Sequence, residues 1–223
     1  IDLKPFSNIK PIAIAEDKIF HFQYPETKEY LNDIGVPLLS WNIYDDQEIP
    51  KEAHSLIIPG GFPERYAQHI SSSERSLKSL REFYKKKFIY AECGGMMILG
   101  DSIEDENGSV HNMAGILPFK AKKGSLSVGY RNIKGEKDSI IIKKNQQLKG
   151  HEFHYWQLEN QIKDKQMSSL LSSPWKIKSW GTSYKKEGWS NENLHASWIH
   201  LHLPSNKEAL KNMLFNHQKR NSN

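Results

Sequence analysis

The stretch FIYAECGGMMILG, residues 88–100, changes character in its middle. Phe88 to Ala91 is an apolar run of β type, while Gly95 to Gly100 reads as a short helix, so Cys93-Gly94-Gly95 is a strand-to-helix turn. Such a turn projects the thiol, lets other backbone approach the glycines closely, and sets the sulfur beside helix N–H groups that favour its thiolate. The same amides can hold an oxyanion. A lone cysteine is ordinarily a small buried apolar residue. Its place at a strand end makes Cys93, the only cysteine of 223 residues, a candidate nucleophile.

Upstream, strand and helix patterns alternate. IAIA (12–15) reads as a buried strand, YPETKEYLNDIG (24–35) as a helix stopped by Gly35, and VPLLSW (36–41) as a second strand. HSLIIPGGFPE (54–64) is a third strand that breaks at Pro59-Gly60-Gly61. SSSERSLKSLREFYKKK (71–87) follows as a helix with Leu77, Leu80 and Tyr84 on one face, opened by a capping box of Ser71 and Glu74. This alternation predicts an α/β fold with a mostly parallel central sheet flanked by helices, whose site lies at the carboxyl ends of the strands. Gly60, Gly61 and Cys93 all fall there. Beyond Asp101 the pattern turns to hairpin-like pieces, NGSVHNMAG, SVGYRNI, DSIIIKK, GHEFHYWQL and LHASWIHLHL, before a last helix, NKEALKNMLFNHQK.

A cysteine nucleophile needs a proton partner, which points to the histidines of HASWIHLHLPSN (195–206). In a strand His200 and His202 share a face, and Pro204 ends the run. GHEFHYW (150–156) groups His151, Glu152 and His154, but the histidines are three apart in a strand-like run and point to opposite faces. The helical zinc motif needs them four apart, so no metal site is expected. No phosphate loop occurs, since KGEKD (134–138) lacks the glycine spacing and the terminal hydroxyl residue.

Composition excludes other classes. Hydrophobic residues make up 37% and aromatics 11%, enough for one globular core. The balance of 31 Lys+Arg against 26 Asp+Glu gives +5, but the lysines are scattered and YKKKF (84–88) sits at a helix end, so no nucleic-acid partner is expected. The lone cysteine, the lack of a signal peptide and the lack of a long apolar run point to the cytoplasm and to no membrane partner. The polar, proline-punctuated start IDLKPFSNIKP, with Ile1 in first place, reads as a linker entering a domain, hence a piece of a longer chain.

Taken in order, IIPGGFPE, YAECGGMMILG, MAGILP, VGYRN, GHEFHY and HASWIHLHL closely resemble the glutaminase domain of cobyrinate a,c-diamide synthases, a branch of the class I glutamine amidotransferases. The likeness runs from about Ile12 to Leu203, and FHFQYPET (20–27) resembles the family's F-x-F-Y-Y-P-x-N segment with departures at Gln23 and Thr27. The resemblance implies a three-layer fold, with residues 1–11 as a linker from an N-terminal ATP-binding domain, 12–217 as the glutaminase domain and 218–223 as a tail. It implies that Cys93 attacks the carboxamide of L-glutamine, that His200 moves the proton, and that backbone N–H groups near Gly61 and Gly94 hold the oxyanion. It also marks Gly60, Gly129, Tyr130 and Arg131 as oxyanion or substrate positions. Many class I relatives carry a glutamate two residues after the histidine; here that residue is His202, which leaves Glu152 as the expected orienting carboxylate. ATP and Mg²⁺ would belong to the N-terminal domain, which activates the a and c carboxylates of cobyrinate or its cobalt-free analogue, hydrogenobyrinate, and receives the ammonia from the glutaminase site. Related domains acting on cobyric acid or cell-wall precursors, another cysteine hydrolase and a non-catalytic module are the alternatives.

Overall fold

The computed structural model describes residues 9–160 and 171–218. At its centre lies a six-stranded sheet formed by β1 (Ile12–Ala15), β2 (Leu38–Trp41), β3 (Ser55–Ile58), β4 (Phe88–Glu92), β11 (Trp189–Asn191) and β12 (Leu194–Ser197). Across the sheet the order is β11-β12-β4-β3-β1-β2, parallel throughout except for the β11–β12 edge.

Strand periodicity builds two cores from this one sheet. Ala13, Leu56, Ile89 and Leu194 face one side, and Ile12, Ile14, Ile57 and Phe88 face the other. The first side is covered by α2 (Ala67–Ser72), α3 (Glu74–Tyr84) and α4 (Gly94–Met97) through Ile70, Leu77, Leu80 and Met96. The second is covered by α1 (Pro25–Asp33) and α5 (Lys207–Gln218) through Leu31, Leu210 and Met213. The expected layered α/β architecture is therefore present.

Of the hairpin-like pieces downstream of α4, LHASWIHLHL supplies β12 of the central sheet, while NGSVHNMAG, SVGYRNI and GHEFHYWQL join into a second sheet. It contains β5 (Ser102–Glu104), β6 (Val110–Asn112), β7 (Phe119–Gly135), β8 (Gln147–Asn160), β9 (Trp175–Lys178) and β10 (Lys185–Glu187). Its order is β10-β9-β7-β5-β6, with β8 also paired to β7, and the long β7–β8 ribbon carries a register shift between Lys123 and Ser127.

Three local expectations need correction. The helix at 74–84 has no capping box: Ser71 lies in α2, and the residue before Glu74 is Ser73, whose hydroxyl donates to the His69 carbonyl at 3.1 Å. Within that helix Phe83 is buried and Tyr84 half-buried, its hydroxyl accepting from Asn191 at 2.7 Å. DSIIIKK forms no strand: Ile140, Ile141 and Ile142 are buried in the second core from a loop, tied by the Ile142 N–H to Ser139 Oγ at 3.1 Å. Finally, β12 stops at Ser197, so His200 and His202 do not share a strand face. Most of the expected linker and tail, residues 1–8 and 219–223, lies outside the described residues.

Candidate active site

Cys93 follows directly on β4 with φ 48° and ψ −114°, a left-handed conformation that a non-glycine residue adopts at a cost of about 1–3 kcal/mol. Neighbouring glycines make this turn possible. A Cβ on Gly94 would stand 2.5 Å from the Gly61 carbonyl oxygen, and one on Gly95 would stand 2.3 Å from that of Ile58. The two glycine turns, one after β3 and one after β4, are thus packed backbone to backbone. Neither the Gly61 nor the Gly94 N–H has an acceptor among the described residues, so both are free to receive a developing negative charge. With α4 only four residues long, that role falls to local amides rather than to a long helix.

His200 reaches the cysteine from the loop after β12. That loop is anchored by the half-buried Glu187, which accepts from Ser197 Oγ at 2.7 Å and from the Trp198 N–H at 2.8 Å. A reciprocal backbone bridge to His151 of β8 fixes His200 itself, with N–H to carbonyl distances of 2.8 and 3.2 Å. Its ring stacks on that of His151 at 4.9 Å, meets Phe22 at 4.9 Å, and lies so close to Gly60 that a Cβ there would be 2.4 Å from Cε1. Gly60 therefore matters by leaving room for the imidazole.

Burial works against a charged His200 ring, yet hydrogen bonds and charge interactions with Cys93 and Glu92 outweigh it and push the group up to about 10. At neutral pH His200 holds a proton beside the sulfur. His151 moves the other way, lowered by burial and by the charge of His200, while its Nδ1 lies 3.1 Å from the Tyr24 hydroxyl.

The space at the sulfur is about 10 Å³, bounded by Phe22, Gly61, Phe62, Cys93, Phe153 and His200. That admits one water at most. Cys93 Sγ lies 3.7 Å from the Phe153 carbonyl oxygen. Entry of anything larger requires Phe22 and Phe153 to move, and both are exposed at the surface, 42% and 40%.

Of the residues picked out from the sequence, Cys93, His200, Gly60, Gly61 and Gly94 converge. Gly129, Tyr130 and Arg131 do not line this cavity: Tyr130 is 86% exposed, and Arg131 pairs with Glu152 across the β7–β8 ribbon. Glu152 is not the carboxylate at His200. Its Oε1 accepts from Ser127 and Arg131, and its Oε2 faces His154 at 3.8 Å. The carboxylate at His200 is Glu92, with Oε2 3.5 Å from Nδ1. A charge ending the otherwise apolar β4 run was the available signal for it. Among the described residues, no group of three or more His, Cys, Asp or Glu side chains is arranged to hold a metal ion, and no helix is long and apolar enough to cross a membrane.

Glu152 instead has a structural signature. Burial alone would raise it, but His154, Ser127 and Arg131 together bring it down to about 2. A depressed carboxylate stabilises the fold above its ordinary value and loses that contribution as pH falls through its folded value. Glu152→Gln is therefore expected to cost on the order of 3 kcal/mol at pH 7, with the gap in melting temperature closing between about pH 4.5 and pH 2.

Residues 9–208 match the model of the CobB/CobQ-like glutamine amidotransferase domain. Among curated proteins, the cobyrinate a,c-diamide synthase of Caldanaerobacter subterraneus subsp. tengcongensis is 34% identical over 206 residues, covering 91% of this chain and 44% of that protein. The corresponding synthase of Picrophilus torridus is 35% identical over 196 residues, covering 87% and 41%. The chain thus spans less than half the length of these relatives. Among solved structures, PurLQS from Thermotoga maritima aligns with a TM-score of 0.64 at 14% identity, covering 92% of this chain and 98% of that one. A glutamine amidotransferase from the same organism aligns with a TM-score of 0.59 at 12% identity, covering 95% and 87%. At such identities these two speak for the class I fold alone. With a family match over nearly its whole length, and a fold shared with a solved amidotransferase, the chain belongs to the CobB/CobQ-like glutamine amidotransferase domain family.

Proposed function

We propose that this chain is the glutamine-hydrolysing portion of a cobyrinate a,c-diamide synthase and that Cys93 and His200 carry its chemistry. The observation that carries this reading is the left-handed Cys93 turn packed against the Gly61 turn, with His200 lining the same small space as the sulfur.

The residues support the following sequence. The Cys93 sulfur attacks the side-chain carbonyl of glutamine, forming an S–C bond, while the oxyanion is held by the N–H groups of Gly61 and Gly94. His200 gives its proton to the nitrogen as the C–N bond breaks, so ammonia leaves and a glutamyl thioester stays on Cys93. Neutral His200 then takes a proton from water, whose hydroxide breaks the thioester and releases glutamate. ATP and Mg²⁺, held by the part of the relatives' length that this chain does not span, would activate the a and c carboxylates of cobyrinate or hydrogenobyrinate. Exposed apolar side chains continue from Phe153 along the β7–β8 ribbon, with Val128 opposite it and Tyr130 and Tyr155 beyond, which suits a second protein surface at this face receiving ammonia.

The test is release of glutamate and ammonia from L-glutamine by the chain, and ATP-dependent amidation of cobyrinate by the full-length protein. Turnover of simple esters without preference for glutamine would overturn the reading. The oxyanion assignment has its own check. A Cβ on Gly61 would fall 1.9 Å from the Ile19 carbonyl oxygen, so Gly61→Ala must displace the turn and its amide. The expected loss is about 10²–10³-fold in kcat, read in the same glutamate assay.

A further inference from the structure

Glu92 is the last residue of β4, buried, and adjacent in sequence to Cys93. Its two oxygens are used differently. Oε1 accepts from the Tyr90 hydroxyl and, at 2.9 Å, from the Leu201 N–H, so it is held from the strand side and from the histidine loop at once. Oε2 is left facing His200 Nδ1 at 3.5 Å. This is long for a hydrogen bond and within ion-pair range; such contacts in ligand-free sites tighten when substrate binds.

Among the described residues no competing carboxylate is in place. Glu152 is committed to Arg131, Ser127 and His154, and Glu187 to Trp175, Ser197 and Trp198. His202 Nδ1 is engaged with Ser205 Oγ at 2.6 Å. The charged and titratable groups meeting the His200 ring are Glu92 and Cys93 from β4 and its turn, and His151 from β8.

We infer that Glu92 is the positioning residue of this site: it fixes the His200 ring through Nδ1, holds the tautomer that leaves Nε2 to exchange a proton with the Cys93 sulfur, and stabilises the imidazolium. Tyr90 and the Leu201 N–H in turn hold Glu92. A carboxylate on one side of the imidazole and a nucleophile on the other is the arrangement by which a hydrolytic site orients its base. Here the carboxylate comes from the residue next to the nucleophile, so one strand end delivers both. The inference rests on the reading of Cys93 and His200 as the glutaminase pair.

Glu92→Gln in the full-length protein tests it, since the amide keeps the shape and the Oε1 acceptor while removing the charge. The expected result is a fall in kcat of about 10²-fold with KM for glutamine changed less than about threefold. The upper limb of the pH profile should move to lower pH, because a contribution that raises His200 is gone. Tyr90→Phe, which keeps the carboxylate but removes one anchor, should show a smaller fall in the same direction. Alkylation of Cys93 by iodoacetamide as a function of pH gives a readout independent of turnover and should show the same shift. A Glu92→Gln protein with an unmoved pH profile and kcat within about twofold of wild type would overturn the inference. So would a folded Glu92→Gln protein whose loss is all in KM. If Glu92→Gln does not fold, an unmoved alkylation profile in Tyr90→Phe overturns it equally. Failure of the underlying reading would look different: the unaltered protein itself would release no glutamate.

Discussion

Glutamate release from glutamine is expected to fall by about 10⁴-fold or more when Cys93 is replaced by alanine. The sulfur forms the thioester bond, and no other cysteine exists in the chain to substitute for it. The fold should survive, because only the sulfur is lost and alanine bears the same Cβ in the same left-handed turn. Melting should therefore shift by no more than about 1 kcal/mol equivalent. A chloromethyl ketone analogue of glutamine is expected to label the unaltered protein once, at Cys93, and Cys93→Ala not at all. When ammonium salt replaces glutamine, amidation by the full-length variant should stay within about twofold of the unaltered protein. Residual glutamine hydrolysis above the stated loss, or labelling at another residue, would show that the turn at 93 is not where the amide is attacked.

Local patterns in this chain were legible where their cause is local. Three apolar runs became β1, β3 and β4, and the Cys93 turn is a matter of three consecutive residues. What failed depended on pairing between distant segments. Ile140, Ile141 and Ile142 have strand composition, but burial reached them through a loop. His200 and His202 alternate as a strand should, yet pairing of β12 with β4 ends at Ser197 opposite Glu92. That same register explains why Glu92 was not legible as a partner: the parallel ladder brings the loop at 198–203 over the end of β4, and only then does Leu201 N–H reach Glu92. Glu152, in turn, looked free because its sequence neighbours are two histidines. Its real partners, Ser127 and Arg131, stand on β7, across a ribbon whose register shift between Lys123 and Ser127 gives no signal in the sequence.

His200→Asn is expected to lower kcat/KM for glutamine by about 10³–10⁴-fold, second only to loss of the nucleophile. The ring sits between His151, Phe22 and Gly60, so a smaller side chain leaves a gap but removes no backbone bond; the bridge to His151 uses main-chain atoms alone. Folding should thus be retained, which thermal unfolding can check. The decisive readout is the pH profile. Burial disfavours the imidazolium, but Cys93 and Glu92 raise His200 to about 10. A raised group stays protonated through neutrality and loses its proton only as pH climbs through that value, so glutamine hydrolysis by the unaltered protein should hold across neutral pH and fall near pH 10. Residual hydrolysis by His200→Asn should lack this limb. An alkaline limb that persists unchanged in His200→Asn would mean that another group carries the proton, and with it the assignment of both His200 and Glu92 would fall.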